Sequence, residues 1–279
     1  KVMGGAFLAA ALISVVAVAL ICIFLFANGI PAMNKIGLFD FLIGKDWSPT
    51  DNPPSFGIFP MMLGSLYVTA GAIVVGVPIG ILTAVFMASM CPKRLYKIIK
   101  PALNLLAGIP SIVYGFFGLM VIVPFMQDVF GGTGKSILTA SILLGIMILP
   151  TIIGISESAI RAVPESYYEG ALALGASHNR SVYFAVLPAA KSGIFASVIL
   201  GVGRAIGETM AVIMVAGNQA RMPEGLLKGV RTLTANIVME MGYAADLHRE
   251  ALIATGVVLF IFILIMNLSF SLLKRRIAK

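Results

Sequence analysis

Six long apolar runs dictate what this chain can become. They cover about residues 4–30, 59–90, 101–125, 137–158, 192–215 and 251–273. Each reaches or exceeds the ~20 residues that an α-helix needs to cross ~30 Å of hydrocarbon. Lipid offers no water to unpaired backbone groups, so a spanning segment must be a helix or part of a closed barrel. Barrel strands alternate apolar and polar residues, and these runs do not. The expectation is therefore an all-α membrane protein with six transmembrane helices. Only 11% of the 279 residues are charged, against about 25% in soluble domains, which excludes a soluble fold. The first run is too long for a signal-peptide core and lacks a small-residue cleavage site, so it reads as a mature helix.

The net charge of +8 does not point to nucleic acid, because the bases sit in short clusters beside apolar runs, where they set topology. Lys93, Arg94, Lys97 and Lys100 share one loop with no acid, and Lys274, Arg275, Arg276 and Lys279 share the tail. The opposite loops are balanced or acidic: Lys35 and Lys45 against Asp40, Asp46 and Asp51, then Lys135 against Asp128. This predicts cytoplasmic termini, a cytoplasmic segment at 159–191 and outer loops at 31–58 and 216–250. The chain divides into an N-terminal helix (1–30), an outer loop (31–58) and a five-helix core (59–279). Trp47, in a turn-rich stretch, is expected at the membrane interface as an amphipathic aromatic. Cys22 and Cys91 fall toward opposite faces, as do His178 and His248, and no spacing suggests a metal site or a nucleophile–base pair.

With the charges at run ends and in loops set aside, only Arg204 and Glu208 remain inside a predicted span. Four residues apart, they would share a helix face with Ser197 and Gly201. A lone Arg at mid-membrane costs about 2.5–3.5 kcal/mol on insertion scales, so each charge needs a partner or a wet cavity. One reading is an intrahelical ion pair that fixes packing, although Arg before Glu is the weaker order. The other is a polar wall of a translocation path, with Arg204 offering a planar donor fork to an oxyanion. Gly203 and Gly207 form a GxxxG pair, read as helix packing. GIPSIVYG at 108–115 interrupts the third run: Pro110 removes a backbone donor, and Ser111 and Tyr114 place hydroxyls at the break. They either line a path or mark a packed kink. GGTGKS at 131–136 resembles the end of a phosphate-binding loop, but Val129 stands where the first glycine is required and no strand precedes it. The chain is expected to hold no nucleotide of its own.

The 164–188 segment starts with Pro164, suited to a first helical turn. Glu165 and Glu169 favour that end of the helix, and Gly175 suits a left-handed cap. It lacks the basic face of a membrane-surface helix, so docking on a protein partner is the better reading. Glu169-Gly170-Ala171, Gly175 and Leu187-Pro188 keep the spacing of the EAA signature of ABC importer permeases, with Gly170 and Ala185 departing from the usual residues. GIPSIVYG (108–115), VPES (163–166) and GRAIGETMAV (203–212) resemble the phosphate-specific Pst permeases, nearer the PstC than the PstA subunit, over about residues 47–279. That resemblance implies a type I ABC importer fold with a cytoplasmic coupling helix. It implies Glu165, Tyr168, Glu169, Gly170, Ala171, Gly175, Leu187 and Pro188 as the ATPase-coupling residues. It also implies a second permease subunit (PstA-like), two cytoplasmic ATP-binding subunits (PstB-like) that bind ATP and Mg, and an outer phosphate-binding protein (PstS-like) in a bacterial inner membrane. On this reading Arg204 meets phosphate while Glu208 competes for it. An importer of sulfate or molybdate, or an ATP-independent anion channel or secondary transporter, would use the same Arg chemistry.

Overall fold

The computed structural model describes residues 2–277; Lys279, counted in the basic tail, lies outside the described residues. The helices are α1 (Val2–Ile36), α2 (Leu38–Ile43), α3 (Phe59–Met90), α4 (Lys93–Gly108), α5 (Ser111–Phe130), α6 (Ile137–Arg161), α7 (Glu165–Ala173), α8 (His178–Gly207), α9 (Met210–Val215), α10 (Leu233–Glu240) and α11 (Asp246–Ile277). A small antiparallel ribbon pairs β1 (Trp47–Ser48) with β2 (Ser55–Phe56), Trp47 opposite Phe56. Six helices, α1, α3, α5, α6, α8 and α11, are long and apolar enough to cross a membrane.

Two expected spans are displaced, each for a local reason. The third begins at Ser111 rather than residue 101. Pro110 has no N–H and pushes its predecessor out of the helical region, and Ile109 is extended (φ −68°, ψ 128°). The basic α4 is thereby cut off as a separate helix. The fifth runs from His178 to Gly207 rather than 192–215. Pro188 does not interrupt it, because a π turn at Val182–Val186 precedes it and the Leu187 N–H reaches back to the Val182 carbonyl. The chain leaves the helix at Glu208, which is extended (φ −70°, ψ 133°). Comparable π turns lie in α3 at Phe86–Met90 and in α5 at Gly118–Ile122.

Helix α6 is the centre of the bundle, with α3 and α8 against it. Small residues let the backbones approach, as expected where lipid supplies no hydrophobic drive between helices. A Cβ on Gly76 would stand 2.8 Å from the Gly145 carbonyl oxygen, and one on Gly80 would stand 2.8 Å from Ile152 Cγ2. On α8 the close approaches are at Gly193, against Ala159, and Gly201, against Ile152. The packing expected at Gly203 and Gly207 is therefore not found within this chain; a Cβ at either would meet nothing within 4 Å. Gly201 shares its face with buried Ser197, whose hydroxyl is 2.7 Å from that of Ser156, whereas Gly203 lies about 200° further round.

Helix α1 stands largely outside this bundle and packs along α11, with Phe26 edge-on to Phe260 at 5.9 Å. At the same end as β1, residues 216–232 close over the start of α6: Ile137 donates to the Lys228 carbonyl (3.1 Å) and Leu138 to that of Leu226 (2.9 Å). There the GGTGKS stretch makes a turn, and its Ser136 caps α6 by accepting from the Thr139 N–H at 3.2 Å.

Candidate translocation and coupling sites

Arg204 occupies the last turn of α8, half-buried, with Nη1 3.4 Å from the Thr151 hydroxyl of α6. Among the described residues no carboxylate lies within 4 Å of it. The shared helix face expected for Arg204 and Glu208 does not exist, because α8 ends between them. The Glu208 carboxylate instead accepts from the Thr209 and Ala211 N–H groups, at 3.1 and 3.2 Å, and so caps the first turn of α9. Its own carbonyl accepts from the Thr234 hydroxyl of α10 at 3.1 Å. Glu208 thus builds the break between α8 and α9 and leaves Arg204 without an acid.

Tyr114 is within electrostatic reach of Arg204, but it is buried and its hydroxyl donates to the Leu106 carbonyl at 2.8 Å. That carbonyl sits in the last turn of α4, where Pro110 offers it no N–H and Ile109 donates to it at 3.3 Å. Tyr114 therefore ties α5 back to α4, and its hydroxyl is committed to structure. Ser111 opens α5, half-buried.

At the opposite end of α6 a carboxylate that the sequence reading passed over as an end charge proves to be buried. Glu157 is 1% exposed and fully engaged. Oε1 accepts from Arg161 Nε (2.8 Å) and the Tyr96 hydroxyl (2.7 Å), and Oε2 accepts from Lys100 Nζ (2.5 Å). Arg161 also donates to the Met87 carbonyl at 2.8 Å and lies over the Tyr96 ring, 4.7 Å from its centre. Removing one partner of a buried ion pair costs about 3–5 kcal/mol. Exposure of Lys100 (30%) and Arg161 (46%) screens this group toward the lower end. The hydrogen bond that the Tyr96 phenol donates to the Glu157 carboxylate, helped by burial, holds the phenol above its ordinary value. One signal was available in the sequence: Glu157 and Arg161 are in the favourable i,i+4 order.

Arg161 leads directly into α7, which is exposed on most of its surface. Its end is a Schellman cap: Gly175 (φ +85°) donates to the Leu172 carbonyl at 2.8 Å and Ala176 to that of Ala171 at 3.1 Å. Glu165, Glu169 and Gly170 face solvent, as does Leu174, 91% exposed. Tyr168 points inward instead, its hydroxyl 2.7 Å from His178 Nδ1. A cavity of about 410 Å³ opens behind α7, lined in part by Ser89, Arg161, Pro164, Tyr168 and His178. Leu187 and Pro188 lie in the continuous α8.

A second unforeseen carboxylate organises the end that carries β1. Glu240 accepts from Trp47 Nε1 (2.9 Å) and Arg231 Nη1 (2.5 Å), and faces His248 Nε2 at 2.8 Å. Trp47 is buried, so it serves this cluster and not the membrane interface.

A bundle of spanning helices with an exposed short helix between the fourth and fifth defines a membrane permease of the ABC-importer type. The chain matches the crystal structure of a bacterial alginate ABC transporter in complex with an alginate pentasaccharide-bound periplasmic protein with a TM-score of 0.67, at 16% identity, over 98% of this chain and 95% of that one. An inward-facing methionine ABC transporter, MetNI, matches with a TM-score of 0.63 at 19% identity, over 80% and 98%. The protein belongs to the family of binding-protein-dependent transport system inner membrane components, which matches residues 76–279. The probable ABC transporter permease protein YqgH of Bacillus subtilis strain 168 is 40% identical over 93% of this chain and 87% of that protein. The phosphate transport system permease protein PstC of Mesorhizobium japonicum is 36% identical over 91% and 83%.

Proposed function

We propose that this chain is the PstC-like subunit of an ATP-driven phosphate importer, with Arg204 as the anion contact in the path. The observation that carries the site is a spanning-segment guanidinium with no carboxylate partner among the described residues, its bond to Thr151 being a long one. Such a cation is costly in lipid unless an anion or water meets it, and its fork matches a tetrahedral oxyanion. The choice of phosphate leans on the named relatives from Mesorhizobium japonicum and Pasteurella multocida, the latter 33% identical over 86% of this chain.

In this reading α7 docks on a cytoplasmic ATPase that binds ATP and Mg, with Leu174, Tyr167 and Leu172 as the exposed apolar contacts. The end carrying Trp47 and α10 faces outward and receives phosphate from a binding protein. A second, PstA-like permease completes the path, and both termini are cytoplasmic. The ATPase then drives alternating access.

The test is uptake of labelled phosphate by vesicles carrying the whole complex and ATP, with sulfate as competitor. The expected result is uptake that resists sulfate in the native complex and falls at least about tenfold in Arg204→Gln, the scale of one lost charge-assisted hydrogen bond. Competition by sulfate would move the substrate to another oxyanion. Full uptake by an assembled Arg204→Gln complex would return Arg204 to a packing role.

A further inference from the structure

Glu157 takes no part in the anion site, yet its partners join three elements at the coupling end of the bundle. Through Arg161 it is attached to the turn that enters α7 and, by the Met87 carbonyl, to the π turn of α3. Through Tyr96 and Lys100 it is attached to α4. Helix α4 has an inward stripe of Tyr96, Ile99, Lys100 and Leu103 and otherwise little holding it; none of its residues is fully buried. Its far end is fixed by one polar contact, the Leu106 carbonyl to the Tyr114 hydroxyl, and Tyr114 packs in the same buried cluster as Ala205, the residue after Arg204. Between Tyr96 and Leu106 α4 stays helical through Pro101, a stretch of about 15 Å at 1.5 Å per residue. A rod held at both ends by hydrogen bonds transmits displacement, whereas the extended Ile109–Pro110 link beyond it can bend.

We infer that Glu157 is a positioning residue for transport: it locks α4 to the coupling end of α6, so that movement of α7 is carried along α4 to the Pro110 break and to Tyr114, in the buried cluster that holds Ala205 next to Arg204. This rests on the ABC-importer reading above, but not on Arg204 touching phosphate. The chemistry suits the task. A carboxylate whose two oxygens are held by three donors loses two of them, Tyr96 and Lys100, when α4 is pulled away, which leaves a buried charge with Arg161 alone. Met87 lies in the last turn before Pro92, where carbonyls have no intrahelical partner, and its carbonyl accepts from Arg161; π turns such as this one are frequent at functional sites.

The experiment uses the assembled complex in proteoliposomes and reads phosphate uptake and ATP hydrolysis separately. Glu157→Gln is expected to keep the ATPase bound and hydrolysing while phosphate moved per ATP falls about tenfold. Tyr96→Phe keeps the ring under Arg161 and removes only the hydroxyl, and should lower the same ratio about threefold. Lys100→Met added to Glu157→Gln should cost little more than Glu157→Gln alone, because partners in one network are not additive. A spin-label pair at exposed Ile98 and Tyr243 should report a nucleotide-dependent distance change in the native complex that is lost in Glu157→Gln. If Glu157→Gln does not assemble, Tyr96→Phe and Lys100→Met carry the test. A native uptake-to-hydrolysis ratio in both, or an α4 displacement unchanged by them, overturns the proposal. Failure of the native complex to import phosphate would instead count against the substrate reading.

Discussion

Glu208 decides how the residues around Arg204 are understood. Its carboxylate accepts from two backbone N–H groups at the start of α9, a task that a neutral acceptor can share. Glu208→Gln should therefore leave phosphate uptake close to native, whereas a carboxylate competing with phosphate for Arg204 would make that change felt. Glu208→Ala removes the acceptor and should cost about 1 kcal/mol, as for other helix caps, read as a lower thermal midpoint of the purified complex. At this scale the sequence singled out Arg204 as a cation in an apolar run, and the structure leaves it half-buried with no carboxylate within 4 Å among the described residues. It misled on Glu208, since spacing of four implies a shared face only while the helix continues. Glu157 and Glu240 stayed hidden because their partners come from far along the chain: Tyr96 and Lys100 for one, Trp47, Arg231 and His248 for the other.

Among the elements, α7 is the one whose design was most fully written in its own residues. Pro164 at its start, Glu165 in its first turn and Gly175 just past its end all act locally, so the sequence was sufficient. A Cβ at Gly175 would touch nothing within 4 Å; the need for glycine there is the backbone alone, at φ +85°. Gly175→Ala should accordingly cost about 1–2 kcal/mol in the left-handed region, and Gly175→Asn less. The expected readout is faster proteolysis after the exposed Leu174 and less ATPase recovered with the complex, in the order Ala worse than Asn. Helix α8 was harder. Hydropathy placed its span too late, because the polar turn at 178–181 belongs to the same helix and the π turn that admits Pro188 leaves no mark in composition. The close packing of α8 at Gly193 and Gly201 against α6 likewise depends on which face meets a neighbour, and the GxxxG spacing at 203 and 207 could not supply that.

Across the whole molecule, two buried carboxylates occupy opposite ends, and each fastens peripheral pieces together. At one end Glu157 holds α4. At the other, Glu240 joins the Trp47 ribbon, which follows α1, to Arg231 in the closing loop and His248 at the start of α11. Helix α1 lies before the matched family region, which begins at residue 76, and standing largely outside the bundle it needs its own attachment. That attachment is α11 along its length and the Glu240 cluster at its end. Arg231 is only 15% exposed, and beyond Glu240 it has just the Asn236 and Asn218 carbonyl oxygens. Glu240→Ala leaves that guanidinium buried without an anion, which should cost about 3–5 kcal/mol. Trp47→Phe removes one donor to a charged group and should cost about 1.5–3 kcal/mol, while keeping an edge-on ring beside Phe56. Thermal unfolding in detergent should rank the two in that order. Cleavage in the exposed 49–54 turn should quicken in both, because the ribbon is released in each case. Equal stability of Glu240→Ala and the native chain would mean that α11 alone holds α1 in place.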